Sequence, residues 1–230
     1  FDFEGVGYKV ETLRHNCWYT PDHNILTEPL QRNSRAKIAA KDLTMRKNII
    51  TSGNFYHGTV FYKSIKLLVA IQADGHIDGN KVYFNLTKQR KVDRLYKLCK
   101  ELEIDIKVSA GSIQRKRLEC SIDGEVVLEI INRLGKNKDF NAWLLDMCPE
   151  TLDAFLNELP LWDGWKTFNG DALNYSSNNW NNIQWVSTIG HLRNKLCHIG
   201  HAAGKDKNGW KVSIKDNYSA AFKPPQRKEE

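Results

Sequence analysis

Two short segments of this chain carry residues that could do chemistry together. Leu67-Leu68-Val69-Ala70-Ile71-Gln72-Ala73-Asp74-Gly75 returns in altered form as Leu156-Asn157-Glu158-Leu159-Pro160-Leu161-Trp162-Asp163-Gly164. Each is a mostly apolar helical stretch that stops at Asp-Gly. The two aspartates lie about 90 residues apart, the length of a small duplicated α/β unit and too long a period for a solenoid. A carboxylate at the C-terminal end of a helix sits at the negative pole of the helix dipole, where it is disfavoured. Two of them facing each other repel further, so the pair calls for a cation. Hard oxygen ligands beside an anionic substrate point to Mg²⁺ (or Mn²⁺), completed by water and phosphate oxygens. Metal held there activates water and stabilises the leaving oxyanion of a phosphodiester. A single Asp-Gly reads better as a plain helix-ending turn; two copies in matching positions favour the metal site.

The elements that must position these residues repeat as well. A helix carries the first motif to Asp74, followed by a strand over 81–87 and a helix with Val92, Leu95, Leu98, Cys99 and Leu102 at helical spacing. Segments 104–108 and 118–122 pair as a hairpin, and a helix over 126–134 is stopped by Gly135. The order then returns: a helix beginning at Thr151 after Pro149 carries the second motif, and 171–175 is a strand. A long helix over 180–197 keeps Ile183, Val186, Leu192 and Leu196 inward, and 211–214 is a final strand. Small residues at Ala70 and Ala73 let the first motif helix approach its mate closely, whereas Pro160 removes a hydrogen bond near the end of the second. Ahead of the duplication, 8–13 and 24–27 read as strands around a Tyr19-Thr20-Pro21-Asp22 turn, and the polar, basic stretch 31–47 reads as a connector.

Composition sets the bounds. The chain has 230 residues, 41% of them hydrophobic and seven of them Trp, enough to bury a core and too apolar for a disordered segment. Thirty-four Lys+Arg against 27 Asp+Glu leave a net charge of +7, which favours an anionic partner such as nucleic acid. Five cysteines without a CxxC pair indicate reduced thiols and an intracellular, cytoplasmic setting. Cys197-His198 with His201 lacks a second pair of soft ligands at zinc-site spacing. No apolar run reaches membrane-span length and no signal peptide is visible. The chain opens on Phe1 and ends on Glu230, so it is expected to be a processed or excised piece.

The paired motifs resemble those of the LAGLIDADG homing endonucleases, specifically the ones carried inside inteins. The resemblance implies an α/β (α+β) fold of two pseudo-symmetric αββαββα repeats, with central packed motif helices and saddle-shaped antiparallel sheets. It divides the chain into a partial splicing-domain β segment with the basic connector (1–50), endonuclease repeat 1 (51–146) and endonuclease repeat 2 (147–230). It implies a monomer cutting double-stranded DNA at a long specific site, with catalytic residues Asp74, Asp163 and Lys138 and a metal set of Asp74, Asp163, Ala73 and Trp162. Lys138, in Gly135-Lys136-Asn137-Lys138, would stabilise charge on the scissile phosphate; its symmetry mate is left open between Lys215 and Lys223. The sheets would read DNA, since a β-ribbon fits the major groove, through Lys81, Tyr83, Asn85, Lys107, Gln114, Lys116, Asn174, Lys205, Lys207 and Lys211. Thr20-Pro21-Asp22-His23 resembles the internal Thr-x-x-His motif of intein splicing domains, in which Thr20 and His23 would assist an acyl shift. The first nucleophile and the terminal His-Asn of an intein are missing, so no self-splicing is expected. Gln72 and Pro160 depart from the motif. They keep alive a catalytically degenerate, maturase-like nucleic-acid-binding protein; a protein-splicing element without its terminal residues is the other alternative.

Overall fold

A computed structural model describes residues 8–12, 15–29, 36–43, 47–49, 58–109, 118–167, 172–201 and 209–216. The chain divides into two compact units, Phe1–Gly53 and Asn54–Glu230. In the first, β1 (Tyr8–Thr12) pairs with β2 (His15–Tyr19), while β3 (Asn24–Pro29) lies between β4 (Ala36–Ala39) and β5 (Lys47–Ile49), all antiparallel. Within the expected connector over 31–47, the described residues (36–43 and 47) are instead mostly strand or short helical turn. Ala36–Ala39 is a strand, Ala40–Asp42 a 3-10 turn, and Lys47 opens β5. Ile25, Ala40, Tyr19 and Leu43 form the small apolar cluster here, and backbone pairing with β3 overrides the polar composition.

The second unit contains the duplication. Its first half runs α1 (Ile65–Asp74), β6 (Gly75–Asp78), β7 (Lys81–Leu86), α2 (Gln89–Glu101), β8 (Lys107–Val108), β9 (Leu118–Ile122) and α3 (Glu125–Leu134). Its second half runs α4 (Pro149–Trp162), β10 (Gly164–Lys166), β11 (Ala172–Ser177), α5 (Trp180–Leu192), β12 (Lys195–His201) and β13 (Trp210–Asp216). The sheets have the same strand order, β6-β7-β9-β8 and β10-β11-β13-β12, antiparallel throughout. This is an α+β fold of two matched repeats.

Both motif helices are buried. Leu67, Leu68, Val69, Ala70 and Ile71 are sealed on every side, the pattern of a helix at the centre of a core. α4 packs against α1 and buries Leu152, Phe155, Leu156 and Leu159 in the same cluster. Pro149 stands in the first turn of α4, where a missing N–H costs nothing, so the helix starts two residues before the expected Thr151. It runs on through Pro160 to Trp162.

The long helix expected over 180–197 ends at Leu192. Asn194 takes the left-handed conformation (φ 56°), and Cys197 pairs with Ile214 inside β12. Gly190 permits this fold-back: a Cβ there would stand 2.3 Å from the Cys197 sulfur. Within β12, Cys197 is buried and its neighbour His198 exposed, on opposite faces of the sheet. Cys99, Cys120, Cys148 and Cys197 are free thiols. No helix among the described residues is long and apolar enough to cross a membrane.

The glycine after each aspartate serves close approach. Gly75 has φ −77°, ordinary extended backbone, yet a Cβ would stand 2.8 Å from both the Ile71 carbonyl oxygen and a Val82 methyl. At Gly164 it would stand 2.0 Å from the Asn174 carbonyl oxygen and 2.9 Å from the Pro160 Cα. Each glycine thus lets its sheet begin directly against the helix that precedes it. Gly164→Ala is expected to lower stability by about 1–3 kcal/mol through overpacking, whereas Gly200→Ala, with space around it, should change little. Urea unfolding of the two variants measures the difference.

Candidate functional site

The two motif helices are tied together at their beginnings. Val60 and Met147 form a parallel bridge in which the Val60 N–H donates to the Asp146 carbonyl (2.9 Å) and the Cys148 N–H to the Val60 carbonyl (2.9 Å). The Tyr62 N–H then donates to the Thr151 hydroxyl, 3.1 Å away. With starts joined and flanks packed, the C-terminal ends arrive together, Asp74 as the last residue of α1 and Asp163 directly after α4.

A residue that the sequence motifs did not single out meets both carboxylates. The Lys91 ammonium donates to Asp74 Oδ2 and stands 3.8 Å from Asp163 Oδ1. Its side chain is only 9% exposed, with the Trp162 ring centroid 5.8 Å from Nζ. The pattern held a signal for it: Lys91 precedes Leu95 and Leu98 by four and seven positions, placing a charge within the apolar stripe of α2. Burial pushes the Asp163 carboxyl above the usual carboxylate range and the Asp74 charge adds to the shift, against the pull of Lys91, Lys138 and Lys88.

Lys138, named from the sequence, reaches the same place by another route. Its Nζ donates to the Gly75 carbonyl (2.9 Å), one residue beyond Asp74. Burial holds this ammonium below the ordinary lysine range, while the charges of Asp163 and Asp74 draw it back up. Its backbone is left-handed (φ 54°), an unfavourable conformation for a branchless cationic residue that needs external support. The N-terminal turn of α5 supplies that support. Asn182 accepts from the Phe140 N–H (2.7 Å) and donates to the Lys138 carbonyl (3.2 Å), and the Asn181 amide donates to the Phe140 carbonyl (2.8 Å).

α2 is locked to α4 on the same side. Arg90 donates to the Leu161 carbonyl, and Arg94 forms a two-pronged pair with Glu158, its Nε 2.8 Å from Oε1. Glu158 is 2% exposed and also accepts from the Trp162 indole N–H (2.9 Å). Gln72, the other motif departure, accepts from the buried Tyr175 hydroxyl (3.2 Å) and so ties α1 to the second sheet.

The donor set fits a hard divalent ion that keeps most of its water. Asp74 and Asp163 offer carboxylate oxygens, and no cluster of three or more His, Cys, Asp or Glu forms among the described residues. Mg²⁺ requires no more, being held by one or two carboxylates plus water and substrate phosphate. Ala73 is the penultimate residue of α1 and Trp162 the last of α4, so both lie beside the pair through the backbone.

The faces of the two sheets turned away from the helices are polar. On the first, Lys81, Tyr83, Asn85 and Lys107 are exposed, and Lys107 pairs with Asp123 (2.7 Å). On the second, Lys211 is half-buried beside Ser176 in the register. Asn174 departs from the expectation of a free reading residue: it is 4% exposed and accepts from the Ser213 hydroxyl (2.6 Å). Lys215 is exposed near the end of β13, with no contact to the carboxylates among those described. Gln114, Lys116, Lys205, Lys207 and Lys223 lie outside the described residues. In the N-terminal unit, Thr20 and His23 close a tight turn (His23 N–H to Thr20 carbonyl, 3.0 Å), with the exposed imidazole stacked on Tyr19.

No family model matches the chain, and no curated protein matches it. Solved structures do. Mesophilic variants of the homing endonuclease I-DmoI align over 66% of this chain and 88% of theirs, at 18% identity and TM-score 0.48. The N-terminal LAGLIDADG domain of DUF199/WhiA aligns over 67% of this chain and 75% of its own, at 18% identity and TM-score 0.45. Full-length DUF199/WhiA from Thermatoga maritima aligns over 69% of this chain at 19% identity and TM-score 0.45, and the match spans about half (53%) of that longer protein. I-DmoI has been solved in complex with DNA and Mn.

The raised Asp163 carboxyl has a signed consequence. A native state that holds this proton more tightly than the unfolded chain gains stability at low pH and loses it as pH rises through the folded-state value. Asp163→Asn removes the ionisation. The variant should therefore be more stable than the parent near neutral pH, with the advantage shrinking as pH falls below the carboxylate range. Urea midpoints measured at about pH 7 and about pH 3 test this.

Proposed function

We propose that this chain binds double-stranded DNA along its two sheet faces and cuts both strands at a Mg²⁺-dependent centre built on Asp74 and Asp163, as an intein-carried homing endonuclease. The observation that carries the reading is the convergence of two matched carboxylates, one from each repeat, on one buried lysine. A duplex has two strands of opposite polarity, and two pseudo-symmetric half-sites in one chain suit that symmetry without a second subunit.

When bound, the metal supplies an activated water and charge neutralisation at the leaving oxygen. The protein's own residues do the rest. Asp74 and Asp163 would hold the ion, aided by the helix ends at Ala73 and Trp162. Lys138, pinned by Asn182 and anchored on the Gly75 carbonyl, would present positive charge to the phosphate as negative charge builds on it. Lys81, Tyr83, Asn85, Lys107 and Lys211 would contact the duplex, with Gln114, Lys116, Lys205 and Lys207 completing the assigned surface. The net charge of +7 supplies the long-range attraction. The Thr20–His23 turn supports assigning the N-terminal unit to a splicing-domain fragment, and the free thiols accord with a cytoplasmic setting.

One observation favours a second reading. Lys91 already sets a positive charge between the two carboxylates, as it would in a nucleic-acid-binding protein that no longer cuts.

Two measurements separate the readings. Affinity for duplex DNA should fall at least about tenfold between about 50 and about 200 mM salt, because phosphate contacts release counterions; salt-independent binding defeats both. With Mg²⁺ and the uninterrupted host-gene segment as substrate, the parent chain should make a double-strand break. Asp74→Asn and Asp163→Asn should abolish cleavage with binding retained, and Lys138→Ala should slow it while keeping the metal requirement. A parent that binds but leaves the DNA intact establishes the non-cutting reading.

A further inference from the structure

We propose that Lys91 is a built-in counter-cation that keeps divalent metal off the Asp74–Asp163 pair until a DNA phosphate draws its ammonium away. The inference rests on the metal-site reading above and adds a condition to it: the site loads when DNA is present.

The geometry supports exclusion. The ammonium touches the Asp74 carboxylate and stands 3.8 Å from Asp163, so it occupies the side of the pair on which both oxygens converge. A divalent ion ligated by those oxygens would meet a positive charge within contact distance, on a lysine only 9% exposed beside carboxylates that are 26% (Asp74) and 37% (Asp163) exposed, so the repulsion is only partly screened. The lysine cannot withdraw with its helix. Arg90 on the Leu161 carbonyl and Arg94 on Glu158 fix the first turns of α2 against α4 on either side of it in sequence. Its side chain is buried and its Nζ lies 5.8 Å from the Trp162 ring centroid, so release requires the four-carbon chain to swing and the ammonium to find another anion.

Asymmetry sharpens the case. In the second repeat the residue at the same place, third in the helix after the paired strands, is Asn182. It is neutral and spends its amide on the Lys138–Phe140 backbone. The ammonium between the carboxylates is thus particular to the first repeat. Lys88 and Arg90, both exposed at the start of α2, give an incoming phosphate a cationic approach to the same spot.

The test is Mn²⁺ binding, followed by the electron paramagnetic resonance signal of the free ion. It compares the parent, Lys91→Met and Lys91→Met/Asp74→Asn, each with and without a non-cognate duplex whose own Mn²⁺ uptake is subtracted. Without DNA, Lys91→Met should bind Mn²⁺ at least tenfold more tightly than the parent, and the double variant should lose that gain. Adding duplex should tighten the parent more than it tightens Lys91→Met. Lys91→Gln, which keeps length and polarity without charge, serves where the methionine variant does not fold. Equal Mn²⁺ affinity in parent and Lys91 variants, with the Asp74 dependence intact, overturns the exclusion and leaves the metal site standing. No Asp74-dependent binding in any variant overturns both. An equal tightening by DNA in parent and variant overturns the phosphate trigger.

Discussion

Two buried helices that end side by side must find something to offset the negative charge collected at their ends. The partial charges of the last carbonyls and the carboxylates of Asp74 and Asp163 all fall on one spot. A cation is needed there for the fold as much as for any chemistry, and Lys91 and Lys138 supply it from two directions. The remaining architecture follows from holding that arrangement. The Val60–Met147 bridge fixes the helix starts, Gly75 and Gly164 let each sheet begin against its helix, and α2 and α5 come down over the ends. Removing one ammonium leaves charge partly buried and unpaired, which is costlier than losing the pair outright.

The duplication is imperfect, and the imperfections are concentrated at the site. The sheet orders match strand for strand, yet equivalent helix positions carry Lys91 in one repeat and Asn182 in the other. One side chain neutralises the carboxylates and the other braces the segment that presents a second lysine. Both cations described at the centre therefore come from the first repeat, while the bracing comes from the second. The two halves of the centre are chemically unequal.

Much of the frame was legible in the residues because burial writes periodicity plainly. The continuous apolar run of α1, the alternation of β7 and the amphipathic stripe of α2 each have one economical reading. β12 was illegible for a physical reason: its Leu196 and Cys197 continue the helical spacing of α5, and only the reversal at Asn194 and the pairing with β13 make them a strand. The strands that follow the aspartates leave no pattern in the sequence, because three or four residues are too few to show alternation. The convergence of Asp74 and Asp163 could be anticipated from the repeated motif. The place of Lys91 in the apolar stripe of α2 marks it as unusual, but its partners could not be read, since they lie 17 residues back and in the other repeat. Asn174 looked like a surface residue by composition and is covered, because burial on a sheet face depends on what neighbouring strands carry.

The bond between Arg94 and Glu158 bears on how such a chain can evolve. Glu158 is almost fully enclosed, and its guanidinium partner belongs to the other repeat. A second repeat set free from the first would keep Glu158 and lose its arginine, and a first repeat paired with a copy of itself would present Arg94 where no such acid waits. Neither half is therefore suited to life as a self-pairing subunit, and recombination that exchanged one repeat would have to carry the arginine and the glutamate together.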